Sequence, residues 1–201
     1  MEVQAYDRIK IAAAKVFTLK GMQGARMQDI ADEANINKAM LHYYFKNKQQ
    51  LFEIIFEEKL QKIFGAMETL ISDKGSFDQR LKGFIERQIT IIMEFPVMPL
   101  FVMLEVRKNP ELLVQKFKDI PLEFVREKFK SEVASEVAAG NIREVSIEEL
   151  LINVMSLCVY PIIAQPLLKF VLDMDEQTFQ STIERRKTTI FNMIMNDLKI
   201  K

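Results

Sequence analysis

Residues 27–48 read MQDIADEANINKAMLHYYFKNK, and this stretch holds two short helical periods with a turn between them. In the first, over Met27–Ala34, Ile30, Ala31 and Ala34 fall on one side of a helix. Asn35-Ile36-Asn37 then interrupts the pattern. Asparagine is one of the few residues besides glycine that enters the left-handed region such a turn demands. Asn37 also carries the short polar side chain favoured immediately before a helix. In the second period, Lys38–Phe45, Leu41 and Phe45 stand four residues apart and face the core together, which leaves Lys38, Ala39, His42 and Tyr43 on other faces. Two short helices joined by so short a turn are the plan of a helix-turn-helix, whose second helix can enter a major groove.

The flanking sequence is helical as well. Upstream, Ile9, Ala12, Ala13, Val16 and Phe17 recur at helical spacing until Gly21 stops them. Downstream, Asn47 with Gln50 resembles a capping box opening a long helix through Leu51, Ile55, Phe56, Leu60 and Phe64. Ser76 with Gln79 and Ser146 with Glu149 repeat that signal, and Asp175 caps a last helix. Gly140 ends the helix that runs up to Ala139, and prolines at 96, 99, 110 and 121 are expected to cut the middle into shorter helices. No strand alternation and no internal repeat is visible, so an all-α fold is expected.

Lys and Arg number 28, matched by 28 Asp and Glu, which excludes a uniformly basic nucleic-acid coat but not a local basic patch. The patch is at the front. Eight basic against five acidic residues give +3 through Phe52, so the remainder of this neutral chain carries −3. A 201-residue chain that is 49% hydrophobic builds its own core and is not disordered. One cysteine, Cys158, makes no internal bridge, and with only His42 beside it no His/Cys zinc site is expected. The N-terminus carries no secretory signal, and a cytoplasmic location is expected. Nineteen uncharged residues from Leu150 to Leu168 approach membrane-spanning length, but Pro161 and Pro166 interrupt them, and a core helix ending near Pro161 is expected. There is no Gly-rich phosphate loop and no G-x-S-x-G; Gly21-x-x-Gly24 reads as a helix end. No catalytic residue, metal or cofactor is expected.

Residues 8–52 carry a longer pattern at fixed spacing: Ile9, Ala13, Phe17, Gly21, Asp29-Ile30-Ala31, Ala34, Lys38, Leu41, Tyr43-Tyr44-Phe45, Lys48 and Leu51. That pattern resembles the TetR family of bacterial transcriptional repressors. The resemblance implies a DNA-binding head over 1–47 and a helical domain over 48–201 that dimerises and takes up a small molecule. Its DNA-facing residues would be Arg26, Gln28, Asn37, Lys38, Ala39, Met40, His42, Tyr43 and Lys48, with lysines and the tyrosine hydroxyl suited to phosphates. The partners implied are a double-stranded operator, a second copy of the chain and an apolar effector; no membrane is among them. The sequence departs from the family at five places. Ala25-Arg26 stands where a threonine usually caps the second helix, a loss of about 1 kcal/mol. Asn35 and Ala39 replace glycines, His42 replaces the first aromatic of a tyrosine pair, and Met40 replaces a small polar residue. An unusual operator would follow from Met40 and His42. The competing reading is a helical small-molecule-binding adaptor whose head has lost DNA affinity.

Twelve methionines and fifteen phenylalanines suit an irregular apolar cavity. The candidate lining is Met93, Phe95, Met98, Phe101, Met103, Phe117, Phe124, Met155 and Tyr160, with Glu94, Glu105 and Arg107 nearby, against the plain alternative that these residues are core. The candidate dimer face is the stripe Phe179, Ile183, Ile190, Ile194 and Leu198 on the last helix, beside the Leu150–Tyr160 helix, with packing inside one chain as the competing account.

Overall fold

In the computed structural model, which describes residues 2–71, 74–94, 96, 98–108, 111 and 121–200, the capping signals of the sequence become helix starts. Helix α1 spans Glu2–Gly24, α2 Met27–Glu33, α3 Lys38–Tyr44 and α4 Lys48–Met67, followed by a 3-10 turn at Glu68–Ile71. Helices α5 (Phe77–Glu94), α6 (Met98–Lys108), α7 (Leu122–Ala138), α8 (Ile147–Ile163), α9 (Gln165–Val171) and α10 (Glu176–Leu198) follow. No strand occurs among the described residues.

Each cap has a donor. The side-chain oxygens of Asn37, Asn47, Ser146 and Asp175 accept from the N–H groups of Met40, Gln50, Glu149 and Thr178 at 2.7, 2.8, 3.0 and 2.7 Å. Ser76 and Gln79 make the reciprocal pair, at 3.4 and 3.0 Å. The Asn47 box differs by one position: Gln50 Oε1 accepts from the N–H of Lys46 rather than Asn47. Gly21 stands at φ 66°, kinking α1 before a last turn to Gly24, and Asn35 at φ 53° makes the left-handed turn between α2 and α3.

The buried side chains form two clusters. The head core joins Ile9, Ala13 and Phe17 of α1, Ile30 and Ala31 of α2, Leu41 and Phe45 at α3, and Leu51, Phe52, Ile55 and Phe56 of α4. Phe17 meets Phe52 edge-on at 4.9 Å between ring centres. The second core packs α5, α7, α8 and α10. Helix α4 enters both, through Phe52 below the head and Ala66 in the larger core. So does the front of α6: Met98 is buried in the head core, and α6 packs against α8.

Helix α8 ends at Ile163, two residues past Pro161 and near where the sequence placed its end, and the chain then bends 72° into α9. The proline has no N–H for the carbonyl of Leu157 four residues back, and Arg186 of α10 supplies a donor instead, Nη2 to that oxygen at 2.8 Å. The middle is cut into shorter helices as expected: α5 ends at Glu94 before Pro96, Pro121 immediately precedes α7, and Pro99 sits at the second position of α6, where its missing N–H costs nothing. Pro110 lies outside the described residues. No single described helix is long and apolar enough to cross a membrane.

The stripe expected to face a partner lies inward in this chain. Phe179, Ile183, Ile190, Ile194 and Leu198 are buried in the chain's own second core. Their spacing is that of one helix face, and packing α10 against α5 and α8 uses that face completely.

Candidate functional site

Helix α3 is held from beneath and bare above. Leu41 and Phe45 are buried, and the Phe45 ring stacks on Tyr6 of α1 at 5.1 Å, with Tyr44 meeting the same Tyr6 edge-on at 6.2 Å. The outward residues Lys38, Ala39, His42 and Tyr43 are exposed, Tyr43 by 77%, and its ring leans edge-on against Tyr44 at 5.2 Å. Asn37 is exposed but spends its oxygen on the cap, and Met40 is half-buried at the side.

Arg26 precedes α2 and is exposed, while its backbone N–H donates to Asp29 Oδ2 at 3.0 Å. Asp29 therefore satisfies the N–H of Arg26 at the start of α2, the half of a capping box that needs no hydroxyl. Its carboxyl is held below the usual range, chiefly by the Lys20 ammonium 3.0 Å away and then by that Arg26 N–H. Gln28 is exposed and donates through Nε2 to Asp32 at 2.8 Å.

Lys48 has partners within the chain. It is half-buried, and its Nζ donates to the carbonyl of Ala25 at 2.9 Å and of Gln23 at 3.4 Å, tying the start of α4 to the end of α1. Among the other head cations, Lys10, Lys15 and Lys20 pair with carboxylates. Arg8, Arg26, Lys38 and Lys46 are exposed, and their side chains make no ion pair among the described residues. Three of these four fall within residues 26–46, on or beside α2 and α3, where they can meet an anionic surface.

A cavity of about 840 Å³ lies between α4, α5, α6, α7 and α8. Met98, Met103, Met155 and Tyr160 line it as the sequence suggested, together with Phe64, Ile92, Val102 and Val159. Met93 packs half-buried against the second core instead, and Phe124 is 61% exposed on α7 because Val125 takes the inward position beside it. Phe95, Phe117 and the side chain of Phe101 lie outside the described residues. Glu94 is exposed, 3.6 Å from Lys62, and Arg107 is exposed; the side chain of Glu105 is outside the described residues.

One polar residue of this wall was missed. Gln88 is 1% exposed and lines the cavity. The signal was present in the spacing: Leu81, Phe84, Ile85, Ile89 and Ile92 define the buried face of α5, and position 88 falls on it. Cys158 is buried in the core, and burial pushes its thiol up to about 12, so it stays a neutral thiol. No cluster of His, Cys, Asp and Glu able to hold a metal occurs among the described residues.

Residues 11–55 match the family described as bacterial regulatory proteins, tetR family. The fatty acid metabolism regulator protein of Bacillus subtilis is 26% identical over 115 residues, 57% of this chain and 59% of that protein. The HTH-type transcriptional repressor KstR2 of Mycolicibacterium smegmatis is 30% identical over 77 residues, 38% of each. The match thus spans less than two thirds of the length of these curated relatives. Among solved structures, the Bacillus subtilis transcriptional regulator FadR in complex with stearoyl-CoA is 18% identical, with a TM-score of 0.62 over 96% of this chain and 99% of that one. The likeness is one of fold: an N-terminal helix-turn-helix followed by a helical domain.

Proposed function

We propose, from the match of residues 11–55 to the tetR family of bacterial regulatory proteins, that the chain is a ligand-responsive repressor of that family that binds a palindromic operator as a homodimer. The observation that carries this reading is α3. Its two inward anchors are fully buried, and its outward face offers Lys38, Ala39, His42 and Tyr43 to a groove. Ala39 leaves room for close approach, His42 and Tyr43 reach base edges or phosphate, and Arg26, Lys38 and Lys46 supply charge for phosphates. Gln28, Asn37 and Met40 border that face. The labour divides at 47/48: the first part reads DNA, and the second pairs the protomers and holds the effector.

The partner surface belongs to the outer sides of α8 and α10. These helices run antiparallel, because Arg143 donates to the carbonyl of Leu198 at 2.8 Å and Arg186 to that of Leu157. Ile152 and Met193 are brought to the same level, 64% and 52% exposed, and two copies of this face make a self-complementary four-helix contact.

The cavity is the effector site, and the stearoyl-CoA held by the Bacillus subtilis neighbour supports a ligand with a long apolar part. Helix α6 supports coupling to the head, since Met98 belongs to the head core while Met98, Val102 and Met103 line the cavity. An effector that favours a shifted α6 would change the spacing of the two heads, by no more than its difference in affinity for the two states. Control of this kind needs binding alone and no catalysis.

Salt dependence tests the DNA reading. Binding to a mixed-sequence duplex should weaken linearly in log affinity against log salt as phosphate contacts release counterions; a flat response would count decisively against it.

A further inference from the structure

Gln88 is the most anomalous residue of the second core. It is 1% exposed, and neither its Nε2 nor its Oε1 has a hydrogen-bond partner among the described residues. A leucine would suit that face of α5, between Phe84 and Ile92, without leaving two polar atoms unpaired. The same side chain lines the cavity, whose described walls are otherwise nearly all apolar and carry no charged residue. The hydroxyl-bearing residues in the lining, Ser156 and Tyr160, stand one turn apart on α8 and are both exposed, so they mark the outer edge while Gln88 marks the inner end.

We propose that Gln88 is the polar anchor of the cavity. The effector it fits is an elongated apolar molecule whose inner end carries an uncharged group that both donates and accepts, a carboxamide or a hydroxyl. The Gln88 oxygen takes the ligand's N–H or O–H, and the Gln88 amide N–H is accepted by the ligand's oxygen. A carboxylate is disfavoured at that end, because no described cation in the lining compensates its desolvation. This assignment rests on the reading of the cavity as the effector site.

The test uses the full chain and its Gln88→Leu variant. Each is titrated with the neutral dye N-phenyl-1-naphthylamine, which is then displaced by decanamide, by 1-decanol or by decanoate at pH 8. The expected result is that the dye and decanoate bind both proteins alike, while decanamide and decanol lose about tenfold in affinity in the variant. Equal amide and alcohol affinities in the two proteins, with the dye still bound, would overturn the anchor and leave the effector site standing. Failure of the dye to enter either protein would overturn both. Thermal melting supplies a second readout: without ligand, Gln88→Leu should melt no lower than the unmodified chain, because an unpaired buried amide is removed. A clearly lower melting temperature would show that the amide is satisfied within the fold and would sink the proposal.

Discussion

Tyr43 and Lys48 stand five residues apart in one motif, and the sequence suggested phosphate contact for both. Tyr43 is 77% exposed with its ring edge-on against Tyr44, whereas Lys48 closes the head by bonding the carbonyls of Ala25 and Gln23. Their alanine variants should therefore fail differently. Tyr43→Ala is expected to weaken duplex binding about tenfold, the value of one lost hydrogen bond, with an unchanged melting temperature. Lys48→Ala is expected to destabilise the chain by about 1 kcal/mol in denaturant titration, with weaker DNA binding as a consequence. Equal stability of the two variants would contradict this division. Asp29 adds a pH dependence. Its folded-state pKa is depressed, so the cap's contribution is complete above the ordinary value of 3.8 and is lost as pH falls below it. Asp29→Asn should narrow the stability difference between pH 7 and pH 3. The residue types of the recognition face were legible because exposure follows from helical spacing once two anchors are fixed. The partner of Lys48 was not, since its carbonyls lie more than twenty positions away in sequence.

At the scale of elements, helix starts were read from local chemistry and held, because an N-cap needs only residues within three positions. The end of α8 needed more. A proline inside a helix frees one carbonyl, and whether the helix survives depends on a donor from elsewhere, here Arg186 of α10. That dependence yields a double-mutant prediction. Arg186→Met should lower stability by about 1 kcal/mol in the native background and by much less in Pro161→Ala, where the backbone N–H at 161 can reach Leu157 itself. Additive effects in chemical denaturation would show that the two residues are uncoupled. The dimer stripe illustrates a related blindness. Apolar periodicity identifies a buried face but not what buries it, and the α10 stripe turned out to serve its own chain.

At the scale of the whole molecule, the proposed function draws on the exposed face of α3, the apolar cavity and the outer sides of α8 and α10, with Met98 of α6 belonging to the head core and lining the cavity. If α8 and α10 pair the protomers, Ile152→Glu with Met193→Glu should give monomers by light scattering, folded to the same helical content and no longer able to grip both half-sites. A dimer that persists would move the interface elsewhere. The apolar cavity was only half legible in the sequence. Abundant Met and Phe announced apolar volume, but which of them line a cavity and which fill a core is decided by packing, as Met155 and Met93 show. The central claim is that two copies of α3 read an inverted repeat. It is tested most directly by incubating the purified protein, without ligand, with a random pool of double-stranded DNA at moderate salt and sequencing the duplexes it retains. The account predicts enrichment of an inverted repeat with half-sites about one helical turn, or a multiple of it, apart. No enrichment by a folded dimer would contradict it and would leave a small-molecule-binding adaptor with a silent head.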